Sequence, residues 1–110
     1  MHKRTKKTQI APTVKYLVWL RDGGRCVGCG RWAPGEEENY GWSCAHYIAR
    51  SHGGRGDIPQ NILTLCPECH ERFDNSSDRE NLKSVYLDYL ESKYGPLKTT
   101  DLTYQKWRDS

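Results

Sequence analysis

The sequence is poor in apolar residues and has no long hydrophobic run. Hydrophobic residues make up 35% of the 110-residue chain, which contains one Phe and one Met, and the mean hydropathy is −0.91. No stretch approaches the ~18 consecutive apolar residues that a membrane-spanning helix needs, so we expect no membrane partner. A chain of this length predicts one domain with a small core, which needs a further constraint such as a structural metal.

Acidic residues are nearly absent from residues 1–31. Only Asp22 opposes the basic residues there, which are Lys3, Arg4, Lys6, Lys7, Lys15, Arg21, Arg25 and Arg31. The net charge of +3 for the whole chain therefore understates how basic this part is. We interpret residues 1–11 as a flexible basic arm and residues 12–110 as a single domain. Such an arm attracts phosphates, which favours a nucleic-acid partner.

The chain has five cysteines but no apolar signal-like segment near its first residue. This predicts a reducing, cytoplasmic setting rather than a disulfide framework. Four of the cysteines form two pairs with a two-residue gap, Cys26 with Cys29 and Cys66 with Cys69. Such a gap lets both thiolates of one turn bind a single tetrahedral ion, so the two pairs predict a closed, structural zinc site. We interpret Cys44 as a buried thiol, with metal ligation as the alternative.

Turn and capping signals divide the chain into helices and strands. A first helix is predicted from Pro12 to Asp22-Gly23-Gly24, because glycine accepts the left-handed cap conformation. The other predicted elements are loop 33–41, strand 42–47, loop 51–60, strand 61–65, a short helix from Pro67 to Phe73 or Asp74, an amphipathic helix from a Ser77–Glu80 capping box to Gly95-Pro96, and a last short helix over 100–107. This order places the core of the domain at 14–74 and a C-terminal helical segment at 78–107.

The polar residues between the cysteine pairs, and just after them, include side chains that hydrolytic chemistry uses. They are His46, Arg50, His52, Arg55, Asp57, Asn61, His70 and Asp74. The predicted order of strand, glycine-rich loop, strand and helix places His46 on the first strand and His70 on the helix. A lone histidine is usually structural, but the position of His46 ahead of this loop, Asn61 and His70 favours catalysis.

Three segments carry a resemblance to a known family. Residues 19–26 read WLRDGGRC, residues 44–54 read CAHYIARSHGG, and residues 61–70 read NILTLCPECH. From about Val14 to Asp74 the chain resembles the HNH endonuclease family, and more narrowly its small zinc-stapled members from phages and bacteria.

His46, Asn61 and His70 stand in the order and spacing of the family's three name-giving residues. The resemblance implies an α+β fold with a ββα-metal (His-Me finger) motif, held by a four-cysteine structural zinc site and flanked by N- and C-terminal helices. His46 would be the general base, because an imidazole with a pKa near ~6.5 can take a proton from water at neutral pH. The amide of Asn61 would bridge backbone groups of the loop and hold His46, while His70 would bind a catalytic divalent ion.

One position departs from the family pattern. Many members carry an acidic residue or a second histidine directly before the base, where it binds the metal, but this chain has Ala45 there. Asp74 lies four residues after His70, so a helix would present both side chains on one face. We predict that His70 and Asp74 bind Mg²⁺ or Mn²⁺, with Zn²⁺ or Ni²⁺ as other candidate ions. Alternatively, Asp74 is a solvated carboxylate, Asp57 or His52 takes its place, or His70 is a group beside the zinc.

Arg50 and Arg55 are predicted to bind phosphate, because a guanidinium binds phosphate oxygens in a bidentate manner. Ordinary loop solubility is the alternative for Arg55. The predicted function is metal-dependent hydrolysis of DNA, most simply double-stranded, to 5′-phosphate and 3′-hydroxyl ends in a bacterial or phage-infected cytoplasm. Family association suggests DNA packaging or recombination, with a protein partner in that assembly. The rival interpretations are a non-catalytic zinc-ribbon module that binds nucleic acid and a zinc-stabilised protein-interaction domain.

Overall fold

A computed structural model of the chain describes residues 9–32 and 44–104. The elements in these ranges are α1 (Pro12–Arg21), β1 (Cys44–His46), β2 (Ile62–Thr64), α2 (Pro67–Asn75), α3 (Arg79–Tyr94) and α4 (Thr99–Leu102). Most of the predicted arm, the predicted loop at 33–41, the first two residues of the predicted first strand and the chain beyond 104 lie outside the described residues. The order β1, β2, α2 with helices on either side confirms the predicted α+β class and its ββα arrangement.

Helix α1 begins and ends where the sequence predicted. Pro12 occupies its first turn, where the missing amide proton costs no hydrogen bond. After Asp22 the chain turns through Gly23 and Gly24, whose φ angles are +67° and +70°. These angles favour glycine, and they let the Gly24 amide donate to the carbonyl of Trp19 at 3.0 Å.

Strands β1 and β2 form a short antiparallel hairpin in which His46 pairs with Ile62 and Cys44 with Thr64. The long connection between them folds back tightly on itself. The Gly54 amide donates to the carbonyl of Ala49, and a Cβ at Gly54 would lie 1.6 Å from the carbonyl oxygen of Ile48. This position therefore admits only glycine, which explains one residue of the glycine-rich loop.

The core lies between the hairpin and the helices α2 and α3. Phe73 of α2 is fully buried and meets Tyr86 of α3 edge-on, with ring centroids 5.1 Å apart. Helix α1 adds a second, smaller cluster through Val14 and Val18, which pack against Ile62. These contacts explain how a chain with so few apolar residues holds three helices on one small hairpin.

Helix α3 was predicted to begin with a Ser77–Glu80 capping box, and that prediction is wrong. The helix begins at Arg79, and its N-cap residue Asp78 makes no side-chain capping hydrogen bond. The turn is instead held by Ser76, whose Oγ donates to the carbonyl of Arg72 at 2.6 Å and accepts from the Asp78 amide at 3.1 Å. The predicted end of the helix is correct, because α3 stops at Tyr94, before Gly95.

The segment after α3 returns to the connection between the strands. Helix α4 buries Leu102, whose carbonyl accepts from the Arg55 amide at 2.9 Å. The Tyr104 amide donates to the carbonyl of Gly53 at 2.8 Å. Within the described ranges, no helix has the length and apolar character that crossing a bilayer requires.

Candidate active site

The two cysteine pairs converge on one point, as their spacing predicted. The Sγ atoms of Cys26, Cys29, Cys66 and Cys69 all lie within 4.8 Å of one another. The Sγ atoms of Cys29 and Cys66 are 3.7 Å apart. A tetrahedral ion with Zn–S bonds of ~2.3 Å would place its sulfurs ~3.8 Å apart. The four thiols are therefore positioned to bind one metal ion.

The closeness of the four thiols favours binding of a cation once they are deprotonated. Burial raises the pKa of the Cys69 thiol, and the neighbouring thiols of Cys66 and Cys26 raise it further. Burial likewise raises the pKa of Cys66. The Cys26 pKa is instead lowered, because donated backbone hydrogen bonds outweigh the effect of burial. Four thiolates this close repel one another, and a divalent ion among them removes that repulsion.

The second cysteine pair is built into the start of α2. Cys66 is the N-cap residue of this helix, and its Sγ accepts from the Cys69 amide at 3.4 Å. The Cys66 amide donates to Sγ of Cys26 at 3.3 Å, which ties the two pairs together. Gly28 lies between the two cysteines of the first pair, and a Cβ there would lie 2.9 Å from Sγ of Cys69. A larger residue at this position would therefore displace the Cys69 thiol.

An open cavity of about 500 Å³ joins β1, α2 and the chain that precedes α1. It is lined by Gln9, Ile10, Cys44, His46, Arg50 and His70. Alternate residues of a strand face opposite ways, so Cys44 and His46 reach the cavity while Ala45 packs in the main core at 1% exposure. The fold thus brings the two histidines to one concave surface.

Asp74 lies beside His70 on α2, although it is not among the residues that line the cavity. Its Oδ2 is 3.1 Å from Nε2 of His70, and the two side chains are 48% and 32% exposed. Adjacent ligands of an octahedral ion with bonds of ~2.1 Å are ~3.0 Å apart, so this pair fits two positions of such an ion. Among the described residues, no third histidine, cysteine or carboxylate completes a group with them. Water and a substrate phosphate would have to supply the other ligands.

Asn61 is fully buried, and its side-chain amide bridges the connection between the strands. Its Oδ1 accepts from the Ile48 amide at 2.8 Å. Its Nδ2 donates to the carbonyls of Ile48 at 3.2 Å and Arg55 at 2.9 Å. This is the bridging arrangement that the family resemblance implied for Asn61, and it holds the chain directly after His46.

The structure separates the two arginines that were predicted to bind phosphate. Arg50 lines the cavity, and within the described part of the chain no carboxylate pairs with its guanidinium. Arg55 instead forms two hydrogen bonds with Asp57, from Nε at 2.8 Å and from Nη2 at 2.9 Å. Arg50 is therefore the better placed of the two to bind a substrate, whereas Arg55 stabilises its own loop.

The other candidate ligands do not assemble with His70. Asp57 is bound to Arg55, and His52 is exposed and absent from the residues that line the cavity. Cys44 is a buried thiol, as predicted, and burial raises its pKa to about 11 even though Lys15 favours the thiolate. A thiol with this pKa is mostly protonated at neutral pH, and Cys44 is outside the group of described cysteines that could hold an ion.

A buried ion pair between Arg21 and Asp22 was not predicted from the sequence. Asp22 was expected only at the end of the first helix, whereas its carboxylate also accepts from the Thr64 amide at 3.0 Å and from the Tyr89 hydroxyl. One signal could have found it, because Asp22 is the only acid in an otherwise basic stretch.

Comparison with known proteins agrees with this geometry. The family model for HNH endonuclease matches residues 26–76, which include both cysteine pairs, the hairpin and α2. This part of the chain belongs to the HNH endonuclease family. The HNH segment thus contains His46, Asn61 and His70, whereas α1 and α3 lie outside it.

A curated protein similar to this chain is the type IV methyl-directed restriction enzyme EcoKMcrA of Escherichia coli (strain K12). The two are 31% identical over 80 residues, which cover 70% of this chain and 28% of the relative. The chain therefore spans little more than a quarter of that relative's length.

Proposed function

We propose that this protein is a metal-dependent endonuclease that hydrolyses phosphodiester bonds in double-stranded DNA. The observation that carries the proposal is the cavity that His46, His70 and Arg50 share within the HNH-family segment. A base, a metal-binding side chain and a phosphate-binding cation on one open surface are the groups that phosphodiester hydrolysis uses.

His46 would be the general base of this reaction. It ends β1 and lines the open cavity, which water and substrate can enter. An imidazole changes charge near neutral pH, so it can take a proton from the attacking water and release it afterwards. Asn61 would act through the backbone rather than on the substrate, because all of its described hydrogen bonds are to main-chain groups.

His70 and Asp74 would hold the catalytic ion, and Mg²⁺ or Mn²⁺ suits a site that water and phosphate oxygens complete. When bound, such an ion supplies positive charge at the phosphate and at the leaving oxygen. Arg50 would bind non-bridging oxygens of the same phosphate. Departure of the 3′-oxygen leaves 5′-phosphate and 3′-hydroxyl ends. We assign Zn²⁺ to the cysteine cluster, because soft thiolates in a closed tetrahedral set are typical of structural zinc.

Nicking of supercoiled plasmid tests this function. The zinc-loaded protein is incubated with plasmid and either Mg²⁺, Mn²⁺ or EDTA, and the topological forms are separated on a gel. We expect open-circular DNA with either ion and intact plasmid with EDTA. If the nicks carry 5′-phosphate ends, a kinase should label them only after a phosphatase has removed that phosphate. Retardation of uncut plasmid under every metal condition would contradict the proposal.

A second candidate is a nucleic-acid-binding module without catalysis. The observation that favours it is Ala45, which packs in the core where many family members have a metal ligand. The same plasmid experiment separates the two, because this module would shift the plasmid without nicking it.

We further propose that residues 12–110 form one domain, since α1, α3 and the hairpin share contacts. We also propose a cytoplasmic location, from the cysteine usage of the sequence, and a role in DNA packaging or recombination, from family association.

A further inference from the structure

A buried ion pair lies at the end of α1, outside the residues that match the family. The side chains of Arg21 and Asp22 are 9% and 0% exposed. They are joined by hydrogen bonds from Nε to Oδ1 at 2.7 Å and from Nη2 to Oδ2 at 3.0 Å. Desolvation offsets most of the attraction in such a pair, so its net contribution to stability is small and its effect on geometry matters more.

The guanidinium of Arg21 also fixes the backbone on both sides of Asn61. Its Nη1 donates to the carbonyl of Pro59 at 2.9 Å, and its Nη2 donates to the carbonyl of Ile62 at 2.7 Å. These two carbonyls flank Asn61 in the chain. A planar group with several fixed donors can hold both at once, which the single ammonium of a lysine cannot do.

From Asn61 the hydrogen bonds continue to the chain that follows His46. The carbonyl of Asn61 accepts from the Tyr47 amide at 2.7 Å, and its side chain binds both the amide and the carbonyl of Ile48. His46 itself is paired with Ile62 across the hairpin. The position of the His46 imidazole therefore depends on a backbone that Arg21 holds through hydrogen bonds to its carbonyls.

Helix α3 holds the ion pair from the other side. The hydroxyl of Tyr89 donates to Oδ1 of Asp22, and Nη1 of Arg21 lies 3.2 Å from the hydroxyl of Tyr94. The Cζ of Arg21 lies 5.6 Å and 5.8 Å from the centroids of the two tyrosine rings. Burial and the hydrogen bond to Asp22 raise the pKa of Tyr89, which keeps its hydroxyl a donor.

We propose that Arg21 and Tyr89 are positioning residues for His46, so that helix α3 controls the geometry of a site to which it contributes no described cavity-lining side chain. This inference rests on the proposed function for its effect on catalysis. Its effect on the backbone around Asn61 does not depend on any activity.

The first test is Tyr89→Phe, which removes one hydroxyl and keeps the ring. We expect kcat for plasmid nicking to fall about tenfold, because small misplacement of a catalytic group is costly, while KM stays within about twofold. The control is Ser84→Ala, which removes a hydroxyl from an exposed position of α3 itself and is expected to leave kcat unchanged. Equal kcat for wild type and Tyr89→Phe, well below the melting temperature, would overturn the proposal.

The second test is amide hydrogen exchange in the zinc-loaded protein, which needs no cleavage. In Tyr89→Phe we expect faster exchange at the amides of Tyr47 and Ile48, with unchanged exchange at the Cys69 amide in the metal cluster. Unchanged exchange at Tyr47 and Ile48 would overturn the proposal even if nicking were never observed. Absent nicking by the wild type, combined with the expected exchange, would contradict the nuclease function alone.

Arg21→Lys completes the design, because it keeps the charge and loses the planar set of donors. We expect its kcat to be about 10- to 100-fold below that of wild type, a larger loss than in Tyr89→Phe. Hydrogen exchange at the amides of Tyr47 and Ile48 should also be faster. If lysine restored both kcat and exchange to wild-type values, charge rather than geometry would be the function of Arg21, and the positioning proposal would be wrong. If Arg21→Lys does not fold, the results for Tyr89→Phe decide whether the proposal holds.

Discussion

The cysteine cluster and the histidine cavity share helix α2 but differ in how far they enclose a metal. In the cluster, four identical donors lie within 4.8 Å of one another, and only Cys29 is exposed. At the cavity, His70 is one of the lining residues and Asp74 lies next to it; both are partly exposed, and they offer two donors of different type. A closed set leaves no position for a substrate, whereas an incomplete set leaves several. Under the proposed function, one helix thus serves a structural ion at its start and a reactive ion one turn later.

Loss of the cluster metal should have the largest effect, because the whole fold depends on it. In Cys69→Ser we expect loss of bound zinc and of the cooperative unfolding transition. Apparent zinc affinities in small domains are worth about 10–16 kcal/mol, which exceeds the net stability of most domains. Zinc content and circular dichroism measure this outcome. Cys44→Ser is the control, since Cys44 lies outside the cluster, and native-like melting of zinc-free Cys69→Ser would contradict a structural role.

Loss of the base should abolish cleavage and leave the cluster intact. In His46→Ala we expect nicking to fall by about 10²–10⁴-fold, the usual contribution of a general base, with zinc content and melting temperature retained. The measurement is single-turnover nicking at saturating Mg²⁺. His52→Ala is the control, because it removes an exposed imidazole from the connection that follows β1, and it should cleave normally. Wild-type rates in His46→Ala would show that the cavity uses another base.

The role of Asp74 should appear as a changed requirement for metal. In Asp74→Asn we expect the Mn²⁺ concentration for half-maximal nicking to rise about 10-fold or more, because metal sites lose this much affinity when a ligand or its orienting partner is removed. Glu71→Gln removes a carboxylate from the same helix and is the control. Superimposable metal titrations for wild type and Asp74→Asn would return this position to an ordinary solvated carboxylate.

The smallest effect should separate the two loop arginines. In Arg50→Gln we expect weaker DNA binding, with the slope of log K against log salt reduced by about 0.9, the value of one lost phosphate contact. In Arg55→Gln we expect the slope to be unchanged and stability to fall by about 1 kcal/mol or less, since the lost pair with Asp57 is partly exposed. Anisotropy titrations in the His46→Ala background measure both. Equal slopes for the two variants would remove the distinction that the structure draws.

Local patterns were enough to predict most of the elements and the cysteine cluster. The two-residue gap of Cys26 and Cys29, the proline at the start of α1 and the glycines after Asp22 each act within one turn, so they can be read from neighbouring residues. The order of strand, loop, strand and helix also placed His46 on the first strand and His70 on the helix, where the structure has them.

Long-range polar contacts could not be predicted in this way. Nothing in the spacing of Arg21 and Tyr89 indicates that they share a buried carboxylate, because the contact joins two helices that are distant in the chain. The pairing of Arg55 with Asp57 was missed for a different reason, since a loop arginine can turn equally well to solvent or to a neighbour. Ser76 likewise replaced the expected cap of α3, because several side chains near that turn compete for the same amides.

Anomalous diffraction from crystals grown with Mn²⁺ tests most directly whether the chain has one closed and one open metal centre. Data at the zinc edge and at a longer wavelength distinguish the two ions in a single crystal. We predict a zinc peak among the four cysteine sulfurs and a separate manganese peak at the edge of the cavity, next to His70 and Asp74. Manganese density confined to surface sites away from His70, with none in the cavity, would contradict this account.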